Sequence, residues 1–330
     1  MTGPHPAIAA TRVAVRQALG QIERVRQGDL VLVACSGGAD SLALAAAVAF
    51  EAPRAGLTAG AVIVDHGLQE GSLAVADRAA DQCRRLLLLD PVEVVTVRVA
   101  CTGSGPEAQA RDARYRAFVE VAERLGALAV LLGHTLDDQA EQVLLGLVRG
   151  SGARSLSGMP ARRGPYVRPL LGLARTITVA ACDAAGLTAW VDPHNSDPAY
   201  GRVRARALLP VLETELGPGT VAALARSADL LREDADALDD LAAQARDEIG
   251  QGPVEAAVLL ALPRAIRTRV WRLLALEAGC PPGALFAVHV EALDTLVTSW
   301  RGQGPIDLPG RVQGSRSNGR VLVAPTRPVE

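Results

Sequence analysis

Leu30-Val-Leu-Val-Ala-Cys-Ser-Gly-Gly-Ala-Asp-Ser41 is the stretch whose reading decides the fold. Leu30 to Cys35 is an unbroken apolar run, the pattern of a strand buried on both faces of a parallel sheet. Ser36, Gly37, Gly38, Ala39, Asp40 and Ser41 follow. Leu42 to Phe50, rich in Ala and Leu, then predicts a helix. Strand, glycine loop and helix start together make an anion site. The first N–H groups of a helix lack partners within it, and the macrodipole adds positive potential there. Gly37 and Gly38 carry no Cβ to hold backbone amides away from phosphate oxygens. Ser36 and Ser41 add hydroxyl donors. A carboxylate at Asp40 repels phosphate, so its place in the cradle points to a bound Mg²⁺. The plainer reading is a βα turn with Asp40 as a helix cap. The loop lacks Gly-Lys-Ser/Thr and is not a Walker loop. The chain has no lysine: all 34 basic residues are arginine.

Composition bounds the class. A length of 330 residues predicts about two domains. Hydrophobic residues make up 49% and aromatics 3%, so the core must be built mostly of Leu, Val and Ala. A net charge of −2 does not itself mark a nucleic-acid binder, which leaves the question to local charge. The cysteines, at 35, 83, 101, 182 and 280, form no Cys-x-x-Cys pair. That argues against a zinc ribbon, a cysteine-held iron–sulfur cluster or a redox dithiol. Their odd number and the lack of a secretory leader predict a cytoplasmic location. No stretch approaches the ~18 apolar residues a spanning helix needs, so no membrane partner is expected.

Working outward, a helix is expected over 8–27, then the first strand and the glycine loop. A second buried strand, Ala61 to Val64, ends in Asp65-His66-Gly67. A helix over 72–88 leads to a third strand, Val92 to Val99. Pro106 opens a helix to about Leu125. A strand from Ala127 to Leu132 ends in Gly133-His134. Thr135 to Asp138 has capping-box spacing and starts a helix to Val148. Alternating strands and helices predict a doubly wound parallel α/β sheet, whose ligands bind beyond the strand carboxyl ends. Residues 149–170 read as a Gly/Arg/Pro-rich loop, followed by a helix near 173–185, a short strand at 189–191 and a helix at 201–212. Pro218 marks a boundary. The expected domains are 1–216 and a smaller, mainly helical 217–330. The latter comprises a long acidic helix over 220–249, helices near 264–279 and 284–299, and short strands within 303–325.

Three further constellations carry chemistry. In Gly133 to Gln142, Asp137 and Glu141 lie four apart, and Asp138 and Glu141 three apart, on one helix face at the strand ends. Such acids can bind Mg²⁺ or an ammonium; alternatively Asp137 and Asp138 simply complement the helix N-terminus. Arg111 and Arg114 lie three apart, suited to phosphate or a developing anion; spacing alone equally allows surface pairs Glu107–Arg111 and Asp112–Arg116. Between Gln142 and Pro210 lie nine arginines (149, 154, 162, 163, 168, 175, 202, 204, 206) and three acids (Asp183, Asp192, Asp197). Such a tract attracts a polyphosphate backbone, unless its arginines merely solubilise.

The hexapeptide Ser36 to Ser41 resembles the PP-loop of the N-type ATP pyrophosphatases. The ordered set is more specific. Ser36 to Ser41, Asp65-His-Gly-Leu68, Glu107 to Tyr115, Gly133 to Glu141, Arg149-Gly-Ser-Gly152, Gly158-Met159, Arg168-Pro-Leu-Leu171, Asp192-Pro-His-Asn195, Arg202-Val-Arg-Ala-Arg206 and Leu209-Pro210 together resemble bacterial tRNA(Ile)-lysidine synthetase, in its short form. The likeness covers roughly residues 30–212 and is weak in the C-terminal third. Gln69, Gln142 and Val203 depart from the family's usual basic residue, Thr and Asn.

The resemblance implies a reaction. ATP adenylates O2 of the wobble cytidine of a tRNA(Ile) with a CAU anticodon, and the amine of free L-lysine displaces AMP. It implies ATP at Cys35, Ser36, Gly37, Gly38, Ala39, Asp40, Ser41, Asp65, His66 and Gly133, with Mg²⁺ on Asp40. Catalytic roles fall to Asp40, Arg111, Arg114, His134, Asp137, Asp138 and Glu141. Asp137 and Glu141 are expected to hold lysine, and Arg149, Arg154, Arg202, Arg204 and Arg206 to hold tRNA. The C-terminal domain is expected to contact tRNA too; the oligomeric state is left open, a homodimer included. Two other readings have the same sheet: a tRNA thiolase of the superfamily, which commonly carries cysteine pairs, and a non-catalytic nucleotide-binding module, which needs no acids or arginines converging on the loop.

Overall fold

The computed structural model describes residues 3–65, 67, 71–97, 106–150, 152–192 and 197–326, with backbone only at 106–108. His66, Leu68, Gln69, Cys101, Ser151, Pro193, His194 and Asn195 lie outside the described residues, as does the expected strand end at Val99. The chain forms two compact units, Met1–Leu230 and Leu231–Glu330. Among the described residues no helix is long and apolar enough to cross a membrane.

In the first unit α1 (Pro6–Gly20), β1 (Leu30–Ala34), α2 (Ala39–Glu51), β2 (Thr58–Asp65), α3 (Ser72–Asp81), β3 (Val92–Thr96), α4 (Pro106–Leu125), β4 (Ala129–Leu132) and α5 (Leu136–Val148) follow in turn. After them come the single-turn α6 (Ala153–Leu156), β5 (Arg162–Arg163), β6 (Tyr166–Val167), α7 (Arg175–Ala184), α8 (Gly201–Leu216) and α9 (Thr220–Ile249), which runs on into the second unit. The sheet order is β3-β2-β1-β4-β6-β5. All pairs are parallel except β5 with β6. Strand order therefore reverses beside β1, between β2 and β4, and a cleft opens there above the carboxyl ends.

Alternation along β1 buries both faces. Val31 and Val33 join the core formed with α1, α2 and α7. Leu32, fully buried, joins Phe118, Val121 and Ala122 of α4 on the other side. Few aromatics are needed because alanine-rich helices approach the sheet closely: Ala43, Ala45 and Ala47 of α2 are all buried.

Three expectations are corrected. The helix expected over 8–27 ends at Gly20, and turns follow it. Residues 149–170 are not all loop: α6 forms, and the β5–β6 hairpin adds two strands to the sheet edge. Each strand has two residues, too few to show a period in sequence. Residues 189–191 form no strand. The Trp190 N–H donates instead to the Gly37 carbonyl at 2.9 Å, and the Gln82 side chain bonds the Thr188 backbone through both its amide atoms, so this segment is tied to the phosphate loop and to the π turn Gln82–Leu86.

The second unit packs α10 (Ala256–Ala261), α11 (Arg264–Glu277) and α12 (Ala287–Thr298) with a four-stranded antiparallel sheet. Its strands are β7 (Val254–Glu255), β8 (Ile306–Leu308), β9 (Val312–Ser317) and β10 (Arg320–Pro325). In its core Arg267 donates to both oxygens of Asp294, at 2.7 and 3.2 Å, and Trp271 Nε1 donates to the same carboxylate at 3.0 Å. A buried ion pair needs that full satisfaction.

At the opposite end of α2, Glu51 is 1% exposed and accepts two bonds from Arg16 of α1, at 2.8 and 2.9 Å. The Arg16 bond outweighs burial and holds the Glu51 carboxyl below its usual range. A depressed carboxyl contributes stability fully above its unfolded pKa, about 4.3, and loses it as pH falls through the folded value. Wild type should therefore lose Tm between about pH 5 and pH 3 more steeply than Glu51→Gln in thermal melts across that range.

Candidate active site

The phosphate loop is shaped by its glycines. Gly37 has φ +79°, a left-handed conformation costly for other residues. Gly38 is the N-cap of α2, and no side chain caps that helix end. Its first-turn amides are left for a ligand. Ser41 Oγ fills the inside of the loop: it accepts from Ser36 N at 3.1 Å and donates to the Gly38 carbonyl at 2.9 Å. Cys35 lies just below, its Sγ 3.8 Å from that hydroxyl. Gly133, at the end of β4, lets α2 come close: a Cβ there would meet the Asp40 carbonyl oxygen at 3.1 Å. Asp65 ends β2 and is buried, turning its carboxylate back to accept from Gly67 N at 3.0 Å.

Three helix N-termini bring the acids together. The capping box predicted at Thr135 is present: Asp138 Oδ2 accepts from Thr135 N at 2.8 Å and Oγ1 at 3.0 Å. Asp137 accepts the backbone N–H of Arg175, at the start of α7, at 2.7 Å. The Arg175 side chain then forks: Nε donates to Asp40 Oδ2 and Nη2 to Asp138 Oδ1, both at 3.2 Å. Thr178, one turn on, donates to the other Asp40 oxygen. Glu141 is 1% exposed and pairs with Arg206 of α8, at 2.6 and 3.3 Å.

Burial raises the Asp40 and Glu141 carboxyls above their usual range, opposed by Arg175 and Thr178 for the first and by Arg206 for the second. For Asp138 burial acts the same way, but Arg175, Thr135 and His134 outweigh it, and its carboxyl titrates low. The acids in turn hold the Arg175 proton more tightly than usual.

His134 completes the cleft. Burial lowers its pKa to about 4, and the charges of Arg168, Arg202 and Arg111 add to that effect against Asp138. The imidazole is thus neutral at neutral pH. Its Nδ1 is buried with no hydrogen-bond partner among the described residues. Arg111 of α4 is exposed and Arg202 of α8 half-buried. Arg114, one turn further along α4, is exposed. Arg111 also lies over the Tyr115 ring, 5.2 Å from its centre.

The donor set fits Mg²⁺. Among the described residues no three or more His, Cys, Asp or Glu form a cage. Mg²⁺ needs none: one or two carboxylates, phosphate oxygens and water suffice, and Asp40 stands beside the phosphate loop, close enough to Asp138 to feel its charge. Cys35, Cys83, Cys182 and Cys280 are buried and free; burial pushes Cys182 up to about 11, whereas contact with Cys83 holds Cys35 low and raises Cys83 in turn.

Residues 11–212 match the PP-loop domain family, and 255–322 the TilS substrate binding domain. The tRNA(Ile)-lysidine synthase of Thermobifida fusca is 58% identical over 327 residues, 98% of this chain and 99% of its own. That of Streptomyces coelicolor is 54% identical over 350 aligned positions, 97% and 99% of the two chains. This chain belongs to the tRNA(Ile)-lysidine synthase family. The solved U34-tRNA thiolase of Methanococcus maripaludis, which holds a 4Fe–4S cluster, shares the fold: TM-score 0.56 at 19% identity, over 68% of this chain and 80% of that one.

Of the residues that the family likeness singles out, the cleft gathers Asp40, Asp137, Asp138, Glu141 and His134, whereas Arg111 is exposed on α4 beside the Tyr115 ring. The tRNA candidates divide. Arg149 and Arg154 are exposed, whereas Arg206 faces the acids and Arg204 donates to the Pro198 and Ala199 carbonyls at 2.6 and 2.9 Å. Arg175 and Thr178 were missed. One signal was available: Arg175 is the first residue of a helix, where a cation is disfavoured unless acids surround it.

Gly133→Ala should lower ATP affinity about tenfold, because a Cβ displaces the first turn of α2 by a few tenths of an ångström and phosphate contacts are sensitive to position. Equilibrium binding of a non-hydrolysable ATP analogue measures it.

Proposed function

We propose that this chain is a tRNA-modifying ligase that works in the cytoplasm on tRNA(Ile) with a CAU anticodon, joining free L-lysine to the wobble cytidine. The observation that carries this reading is the convergence of the unfilled amides at Gly38, Asp40, the acids of α5 and the arginines Arg175 and Arg206 beside the strand-order reversal, within a chain of this family.

ATP lies with its β- and γ-phosphates in the loop from Ser36 to Ser41, and Asp65 and Gly133 border the nucleotide. Mg²⁺ on Asp40, when bound, offsets phosphate charge. The cytidine O2 attacks the α-phosphorus and pyrophosphate departs. Arg111 and Arg114 stabilise the charge on the α-phosphate in that step. Neutral His134 offers its buried Nδ1 to ATP or the adenylate. The lysine amine then attacks C2, loses a proton, and AMP leaves with its bond to O2.

Electrostatics support an amine at this place. Among the described residues the ion-pair partners of Asp40, Asp138 and Glu141 are Arg175 and Arg206, two cations beside the four acids Asp40, Asp137, Asp138 and Glu141. We assign lysine recognition to Asp137 and Glu141. With no lysine side chain in the protein, no ε-amine of the chain competes for the adenylate. Arg149, Arg154, Arg202, Arg204 and Arg206, together with the 217–330 domain, serve the tRNA side.

Two outcomes are expected. AMP formation from ATP should require both the tRNA transcript and free lysine; AMP formed without lysine, or only with a sulfur donor, rejects the reading. Arg149→Glu should weaken tRNA binding about tenfold while leaving ATP binding unchanged, with a salt slope shallower by about one, in filter binding across salt concentrations.

A further inference from the structure

Arg175 has no part in the roles assigned above, yet it touches more of the acid cluster than any substrate candidate does. Its backbone N–H is fixed to Asp137, and its guanidinium spans from Asp40 on α2 to Asp138 on α5. Thr178, one turn along α7, donates to the second Asp40 oxygen, so among the described residues both side-chain partners of Asp40 come from one helix. A planar guanidinium carries its donors in a rigid fork. The spacing of the two carboxylates is therefore tied to the width of that fork.

We propose that Arg175 is a positioning residue of the ligase site: its fork sets the spacing and direction of Asp40 and Asp138, bringing the acid beside the phosphate loop and the acids of α5 to face one reacting centre. This rests on the reaction proposed above. It acts through those two acids, without contact to the reacting atoms.

The test is ATP–pyrophosphate exchange with the tRNA transcript, on the full chain, for wild type, R175Q, R175K, D138N and R175Q/D138N. R175Q should lose about 100-fold in kcat with KM for ATP within about threefold, since misplacing a catalytic group acts mainly on the transition state. R175K keeps the charge but cannot span both carboxylates, and should lose about tenfold. The double variant should be within about threefold of the slower single variant, because both changes break one linkage. R175Q retaining more than about a third of wild-type kcat, a change in KM alone, or losses that multiply in the double variant overturn the proposal. If R175Q gives no cooperative thermal melt, R175K and R175K/D138N carry the same comparison. Wild type without any exchange defeats the reaction itself, whereas active wild type with unaffected Arg175 variants defeats only the positioning role.

Discussion

Parallel pairing of β1 with both β2 and β4 is the constraint on which the rest of this structure depends. It makes the strand order reverse at β1 and leaves a cleft where the crossover helices part. It also requires both faces of β1 to be apolar, which the run from Leu30 to Ala34 supplies. Chain leaving β1 and β4 emerges side by side, so the phosphate loop and the Gly133-His134 turn become neighbours. Gly133 is the price of that closeness, since no side chain fits against the backbone of Asp40.

The charge pattern follows from the same geometry. Helices that start at the carboxyl edge of a parallel sheet aim their positive ends at one place. Acids at 40, 137 and 138 answer that potential, and burial then makes them repel one another. Arg175 and Arg206 relieve the repulsion, both reaching Asp138 and each pairing with one further acid. Neutral His134 belongs to the same balance: with Arg168, Arg202 and Arg111 nearby, a third kind of cation would add to the repulsion.

Local signals were legible in the sequence. The buried strand, the glycine loop and the Thr135 capping box each depend on residues within a dozen positions of one another. The shared face of Asp137 and Glu141 was also readable, though their different partners, α7 for one and α8 for the other, were not. Arg175 was hard to single out because its partners lie 135 and 37 residues away, and its place at a helix start is the one local feature that sets it apart from the other arginines of the tract. The β5–β6 hairpin and the course of residues 187–192 were hidden for a related reason: short or irregular segments leave no periodicity, and only the neighbours they meet decide their path.

The link from Trp190 to the Gly37 carbonyl has a mechanical consequence. The carbonyl of Gly37 and the N–H of Gly38 belong to one planar trans unit, and they point in opposite directions. Anchoring the oxygen outward turns the amide inward, as a lever turns about its pivot. It also keeps the oxygen's lone pairs from confronting an incoming polyanion, so a segment some 150 residues distant decides which end of that dipole the nucleotide meets.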